Sequence, residues 1–473
     1  MIRKVLIANR GEIAIRISHT LREMGIGVVN VFTEPDKDSL HARTAFELRQ
    51  ISSYLEAKEI VQAARESGAD AIHPGYGFLS ENPSLAEECG NAGVVFIGPS
   101  ADTIRIMGDK LESKHRMQKA GVPVVPAWPE EPPAHEFPVL VKAVGGGGGK
   151  GMRLVETPSQ LKDALASASR EAAAAFGNDR VFVEKHIRKP RHIEFQILGD
   201  ASGNAVHIFE RECSIQRRHQ KIIEETPSPI MSQELRAQMG SAAVAAAKTV
   251  SYRGAGTVEF ILDPEGKFYF LEMNTRLQVE HPITEMTTGL DLVREQVLVA
   301  SGEKLGYTQS DLRQTGHAIE CRIYAEVPEE NFRPSIGTIG IFKSPSGLWI
   351  RLDSGVEEGS TVTPHFDPML AKLIVWAPGR PDAIRRMQRA LDDFVLLGVR
   401  NNIDFLNRVI SSPDFAAGKL HTGFLSEHPD VFSTSSEIPE EVRLIASLKP
   451  AKSISVKEPG VSDVWSSGSW RNA

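Results

Sequence analysis

The run Glu272-Met273-Asn274-Thr275-Arg276-Leu277-Gln278-Val279-Glu280-His281-Pro282 follows an apolar segment ending Phe268-Tyr269-Phe270-Leu271. In an extended chain side chains alternate faces, so Glu272, Asn274, Arg276 and Gln278 fall in one row, with Glu280 the next position along it. A solvated strand face also carries such rows, so neighbours must decide. Upstream, Gly256-Thr257-Val258-Glu259-Phe260-Ile261-Leu262 is joined to the Phe268 segment by Asp263-Pro264-Glu265-Gly266, turn formers that predict a β-hairpin. The hairpin puts Glu259 and Glu272 on adjacent strands, in a register the sequence leaves open. Facing carboxylates repel unless a proton or cation lies between them. Two carboxylates with an Asn suit Mg²⁺ or Mn²⁺, whose coordination shell water and nucleotide phosphates would complete.

A phosphate-binding element is also present. Residues 139–144 read as a strand, followed by the consecutive glycines Gly145 to Gly149, then Lys150-Gly151 and a short strand at 152–155. Such a loop brings amide N–H groups against phosphate oxygens, and it can open and close. It is not a Walker A loop, because Val144 stands where that motif has Gly and Gly151 where it has Ser or Thr. A flexible linker has the same composition; flanking strands, with Lys142 leading in and Lys150 leading out, favour a nucleotide lid.

These pieces need elements to hold them. At 473 residues the chain exceeds one hydrophobic core, and 41% hydrophobic with 24% charged residues is ordinary for a soluble enzyme. A net charge of −7 argues against bulk nucleic-acid binding, and no run reaches the length of a membrane span. Cys89, Cys213 and Cys321 are scattered and odd in number, which fits reduced thiols in a cytoplasmic protein better than disulfides or zinc. A strand beginning at Val5 leaves no room for a signal peptide ahead of it.

Periodicity predicts an α/β chain, α+β overall. Strands at 5–8, 28–32, 71–72 and 94–97 alternate with helices at 12–24 and 57–66, a βαβ pattern with a parallel sheet. The first turn, Asn9-Arg10-Gly11-Glu12, lacks G-x-G-x-x-G, which removes the main support for a nicotinamide dehydrogenase. A helix at 110–120 leads to a Pro-rich hinge at 122–138, and an Ala-rich helix occupies 233–249. Short extended segments at 317–325, 340–343, 348–353 and 370–376, then a helix at 382–394, make a β-rich C-terminal region. From about Gly423 the composition turns to Ser, Pro and Glu, as in a loosely packed tail.

The stretches Ile7-Ala8-Asn9-Arg10-Gly11-Glu12-Ile13-Ala14, His73-Pro74-Gly75-Tyr76-Gly77-Phe78-Leu79-Ser80-Glu81-Asn82, the glycine loop, Gln216-Arg217-Arg218-His219-Gln220-Lys221 and residues 272–282 together resemble biotin carboxylase, an ATP-grasp ligase. The resemblance covers roughly residues 1–425 and implies an N-terminal domain at 1–108, an ATP-grasp domain at 109–305 with its lid at about 122–187, a C-terminal domain at 315–423 and a tail at 424–473. Segments 316–326 and 351–356 lean toward the biotin-carboxylase component of acyl-CoA carboxylases. The implied reaction joins bicarbonate and ATP into carboxyphosphate and moves the carboxyl group to N1′ of biotin.

By resemblance, Glu280 is the general base and Arg276 the bicarbonate anchor, with Gln278, Val279 and Lys221 as further contacts. Phosphates fall to Lys110, Lys142, Gly148, Gly149 and His219, and adenine and ribose to Glu184, Lys185, Ile187, His192, Gln216 and Ile261. The metal falls to Glu259, Glu272 and Asn274. Biotin lies near Tyr76, with Arg351 stabilising the ureido enolate. The chain departs from the family pattern in being short between Ala45 and Ser53, where a strand is usual, and at 129–137, and in carrying Val327 and Arg400. No Met-Lys-Met tripeptide occurs, so biotin is expected on a separate partner, either a small carrier protein or a biotin-bearing subunit of its own. The resemblance also implies a carboxyltransferase and a homodimer or larger homo-oligomer. Two other readings remain at this stage: an ATP-grasp ligase joining a carboxylate to an amine, which leaves residues 73–82 unexplained, and a catalytically silent scaffold, which leaves the charged set unexplained.

Overall fold

The structure, a computed structural model, describes residues 2–128, 131–144, 152–217 and 220–433. Gly148, Gly149 and His219 lie outside the described residues.

Near-continuous apolar runs make the first sheet. Strands β1 (Lys4–Ile7), β2 (Gly27–Phe32), β3 (Glu47–Gln50), β4 (Ala71–His73) and β5 (Val95–Phe96) pair in parallel in the order β3-β2-β1-β4-β5. Val5, Leu6 and Ile7 of the central strand are fully buried, as expected of a parallel sheet covered on both faces. Ile13, Ile17 and Leu21 of the helix Gly11–Glu23 pack on one of those faces. The edge strand β3 is present although the segment is short; its sequence, Glu-Leu-Arg-Gln, lacks the apolar signal because only one of its edges is paired. Turns leaving the C-terminal ends of β1 and β4 meet. Asn9 Nδ2 donates to the carbonyls of Pro74 (2.8 Å) and Tyr76 (2.7 Å). Gly75 sits at φ +63, and a Cβ there would stand 2.8 Å from Asn9 Nδ2, so this junction requires glycine.

The lid is a small antiparallel sheet of β6 (Ala127–Trp128), β7 (Val139–Ala143), β8 (Arg153–Val155) and β9 (Val181–Lys185), in the order β6-β9-β7-β8. The helix Leu161–Phe176 closes its own core of Val139, Val141, Val155, Leu161, Ala168 and Val183. The segment read as a hinge thus contributes a strand, β6, to the lid.

The main sheet contains β10 (Arg191–Gly199), β11 (Ala205–Arg217), β12 (Gln220–Thr226), β13 (Gly254–Leu262), β14 (Phe268–Asn274) and β15 (His317–Tyr324), continued by strands Met369–Ala377 and Ile350–Ser354. Its order is β14-β13-β10-β11-β12-β15, then those two strands, all antiparallel. The regions read as separate ATP-grasp and C-terminal domains therefore share one sheet, joined where β12 pairs with β15.

Two expectations need correction. The strand after Glu272 stops at Asn274, so Arg276 and Gln278 lie on a loop and Glu280 caps the helix His281–Thr288, whose Pro282 pre-sets the first turn. The ordered body also continues past Gly423: Phe424, Leu425 and Val431 are buried against the C-terminal core, and the compact unit ends at Phe432. Truncating the fully buried ring in Phe424→Ala should cost about 3–5 kcal/mol, read as a lower unfolding midpoint in urea. An unchanged midpoint would place Phe424 outside the core.

Candidate active site

Strand register builds the centre of the site. Arg211 on β11 faces Glu194 on β10, Glu194 faces Glu259 on β13, and Glu259 faces Glu272 on β14. A bulge on β14 next to the Glu259–Glu272 pair leaves those two residues directly opposed. Three carboxylates on neighbouring strands destabilise a sheet unless cations answer them. Arg211, fully buried, answers Glu194 at 2.5 Å and also donates to Gln196, Thr284 and Thr257. Lys221, reaching in from β12, pairs with Glu194 and donates at 2.7 Å to both Glu259 and Glu280.

Glu259 is the most heavily bonded of the row. Its Oε1 accepts from Lys221 (2.7 Å), Asn274 Nδ2 (2.9 Å) and Gln278 Nε2 (3.2 Å), and its Oε2 from His192 Nε2 (2.7 Å). His192 Nδ1 in turn accepts from Gln216 Nε2 at 2.7 Å, which leaves the ring proton on Nε2 where Glu259 needs it. Burial alone would raise the Glu259 carboxyl; Lys221 and His192 reverse that and hold it well below the usual range. Glu272 lacks such help. Burial, then the charge of Glu259, pushes its carboxyl up against the opposing pull of Lys110. One carboxylate held ionised, a second opposite it whose ionisation is resisted, and an amide oxygen on Asn274 form a hard-oxygen set suited to a divalent cation.

The loop after β14 adds an oxyanion fork. Arg276 donates through Nε to Glu81 (2.9 Å), through Nη1 to Gln278 Oε1 (2.8 Å) and through Nη2 to Asn274 Oδ1 (3.0 Å). Glu81 belongs to the N-terminal domain, so this guanidinium ties that domain to the main sheet. Glu280 is fully buried, and its Oε2 accepts from Arg322 at 3.0 Å while Oε1 accepts from Lys221. Burial raises its carboxyl, but Lys221, Arg322 and Arg211 overcome this and hold it well below the ordinary value.

A cavity of ≈ 1070 Å³ opens between the N-terminal turns, the lid and the main sheet. All the described residues assigned to the nucleotide, Lys110, Lys142, Glu184, Lys185, Ile187, His192, Gln216 and Ile261, line it. So do Lys221, Glu259, Glu272, Asn274, Tyr76, Arg276, Gln278 and Val279, whereas Glu280 sits behind Lys221. His192 bonds to Glu259, with Gln216 held behind it on Nδ1, while both line the cavity, and Lys142 pairs with Glu184.

Arg351, like Glu280, is not part of the cavity lining. The Arg351 guanidinium is committed to Asp353 (2.8 Å through both Nε and Nη2) and Glu285 (2.7 Å). Arg322 on β15 does line the cavity, a cation the sequence reading did not single out. A readable signal existed: Glu320 and Arg322, two positions apart in an otherwise apolar strand, put charge on one buried face. Lys114, one helical turn beyond Lys110 on the helix Lys110–Lys119, was likewise missed; it lines the cavity and pairs with Glu184. Lys372 packs beside Tyr76, donating to the Val279 carbonyl at 3.0 Å and lying 5.8 Å from the centre of the Tyr76 ring.

Residues 1–104 match the family described as biotin carboxylase, N-terminal domain, residues 109–308 that of the carbamoyl-phosphate synthase L chain, ATP binding domain, and residues 320–427 the biotin carboxylase C-terminal domain. The chain belongs to the biotin carboxylase family. The chloroplastic biotin carboxylase of Arabidopsis thaliana is 49% identical over 451 residues, 92% of this chain and 84% of that one. One pyruvate carboxylase subunit of Methanothermobacter thermautotrophicus is 51% identical over 444 residues, 90% of each chain. The biotin carboxylase domain of Hydrogenobacter thermophilus 2-oxoglutarate carboxylase, solved as a dimer with MgADP, ADP and bicarbonate, superposes with a TM-score of 0.89 at 45% identity, over 92% of this chain and 100% of that one. In this biotin carboxylase, Arg322→Ala should lower biotin-dependent ATP turnover about 10²- to 10³-fold, the loss expected when one charge-stabilising donor is removed from an active site. Arg351→Ala should lower it less than about tenfold, since its partners lie off the cavity. Turnover at saturating ATP tests both, and equal losses in the two variants would contradict the assignment.

Proposed function

We propose that this chain performs the first half-reaction of a biotin-dependent carboxylase, using ATP and bicarbonate to place a carboxyl group on N1′ of biotin carried by a partner. The convergence of Arg276, Lys221 and Glu280 beside the Glu259–Glu272 pair carries this reading. Bicarbonate is a poor nucleophile until it loses its proton, and a guanidinium fork holds a planar oxyanion while a carboxylate takes that proton. Arg276 is the fork, with Gln278 and the Val279 backbone beside it. Glu280 is the base. Lys221 and Arg322 keep it ionised at the cost of some basicity, and those same cations offset that by lowering the cost of the second negative charge on bicarbonate.

Phosphoryl transfer depends on positioning and charge neutralisation. Lys110 and Lys142 supply cations on the nucleotide side of the cavity, and residues 184–187 of the lid, which line it, would meet the purine. Glu259 and Glu272, with Asn274, are the residues that would hold a divalent ion, which supplies Lewis-acid neutralisation of the phosphates. Next to Glu280, Arg322 would stabilise negative charge as biotin loses its ureido proton, with Tyr76 beside the biotin position.

Biotin on a separate carrier protein or subunit, a carboxyltransferase and a homodimer or larger homo-oligomer are the partners that this reading calls for. Cytoplasmic location rests on the scattered reduced cysteines; no helix among the described residues is long and apolar enough to cross a membrane. ATP cleavage should require a divalent ion and rise with bicarbonate plus free biotin, and Glu280→Gln, which keeps shape and removes basicity, should lose about 10²- to 10⁴-fold while nucleotide binding survives. Steady-state kinetics with nucleotide titration checks this. Turnover indifferent to bicarbonate and biotin would refute the activity, and a Glu280→Gln variant within threefold of wild type would refute the base.

A further inference from the structure

Behind Glu280 lie two buried acids, Glu224 and Glu320, that the mechanism does not use. Glu224 on β12 and Glu320 on β15 are direct cross-strand partners, both fully buried. Arg322, two residues along β15, donates through Nε to Glu224 at 2.7 Å and through Nη2 to Glu280 at 3.0 Å. Glu224 Oε2 and both oxygens of Glu320 have no hydrogen-bond partner among the described residues. Three buried acceptor oxygens on directly paired residues thus lack a protein donor among the described residues.

The surrounding charges do not resolve this. Lys372, on the strand Met369–Ala377 across from β15, gives its contacts to the Val279 carbonyl (3.0 Å), Glu12 (3.3 Å) and Asp353 (3.7 Å). The helix His281–Thr288, packed over β12, β15 and Met369–Ala377, brings Glu280 at its cap, His281, and Glu285, which is already paired with Arg16 and Arg351. The opposite face of β15, with Ile319, Cys321 and Ile323, packs into the apolar core. Two adjacent ionised carboxylates here would carry the full cost of an unanswered buried charge. One proton removes the conflict, turning a Glu320 oxygen into a donor facing the orphaned Glu224 oxygen.

We infer that Glu320 is a positioning residue: it keeps a proton, donates it in a hydrogen bond to Glu224, and so leaves Glu224 as a single counter-ion that seats Arg322 against Glu280 and the cavity. Burial above all, with the charge of Glu224 adding to it, pushes the Glu320 carboxyl well above the ordinary range despite Lys372, and burial pushes Glu224 to about 7 despite Arg322. Were both ionised, the added negative charge would draw Arg322 inward and repel Glu280. The consequence deepens the proposed function, because it rests on Arg322 and Glu280 acting on the substrates.

The test has two arms. Infrared spectra of the resting protein at neutral pH should show the carbonyl stretch of a buried protonated carboxylic acid in wild type and lose it in Glu320→Gln. No difference between the two overturns the inference. In turnover, Glu320→Gln retains an N–H donor and should stay within about threefold of wild type, whereas Glu320→Ala, which leaves Glu224 unanswered, should lose about tenfold or more in kcat with ATP binding unchanged. A Glu320→Gln variant as impaired as Glu320→Ala, or a Glu320→Ala variant equal to wild type, also overturns it. Should Glu320→Ala fail to fold, the infrared arm and Glu320→Gln turnover decide. Because the infrared readout needs no turnover, a chain inactive toward biotin would refute the proposed function and leave the shared proton standing.

Discussion

The buried carboxylate of Glu259 is the constraint on which the site depends. It lies in a row of acids that strand register forces together, and it stays ionised because Lys221, His192, Asn274 and Gln278 all donate to it. Those donors come from β12, β10, the end of β14 and the loop beyond it, so one charge fixes four pieces of chain. Each donor has a second partner that carries the order outward: Lys221 to Glu280, His192 to Gln216, Asn274 and Gln278 to Arg276, and Arg276 to Glu81 of the N-terminal domain. The nucleotide side, the bicarbonate side and the N-terminal domain thus meet through hydrogen bonds to a single side chain. Such a network is costly to bury and specifies one geometry when every member is answered.

The same logic explains why an acid-rich core is tolerated. Acids at 194, 259, 280, 224 and 320 lie on adjacent strands or at the helix cap beside them, with Arg211, Lys221 and Arg322 interleaved. An all-apolar core would pack as well, but it would not hold two substrates and a metal in fixed relation. The charges are a functional load on the sheet, and the apolar clusters on either side of it support them.

Much of this was legible in the chain. Helices Ala57–Glu66 and Gln233–Thr249 lie where periodicity predicts them, and the hairpin carrying Glu259 and Glu272 forms in the register that brings the two acids together. Local signals, turn formers at 263–266 and apolar stripes, decide such features. What failed was set by distant chain. Alternation alone could not reveal that the row after Asn274 leaves the strand, because Pro282 and the following helix bend it away. Nor could it single out Arg322, since the cavity-facing side of a C-terminal strand is fixed by the pairing of β15 with β12, about a hundred residues earlier. The hydrogen bond from His192 to Glu259, backed by Gln216, depends on the likewise long-range pairing of β10 with β13.

The central claim is that this network turns bicarbonate into a nucleophile toward ATP. Incubating the protein with ATP, the divalent ion, biotin and bicarbonate labelled with ¹⁸O, then analysing the released inorganic phosphate by mass spectrometry, tests it most directly. Attack by bicarbonate oxygen on the terminal phosphorus followed by loss of the carboxyl group leaves one bicarbonate-derived oxygen on phosphate, so the account predicts singly labelled phosphate. Phosphate free of label would mean that water or another nucleophile attacks ATP, and would contradict it.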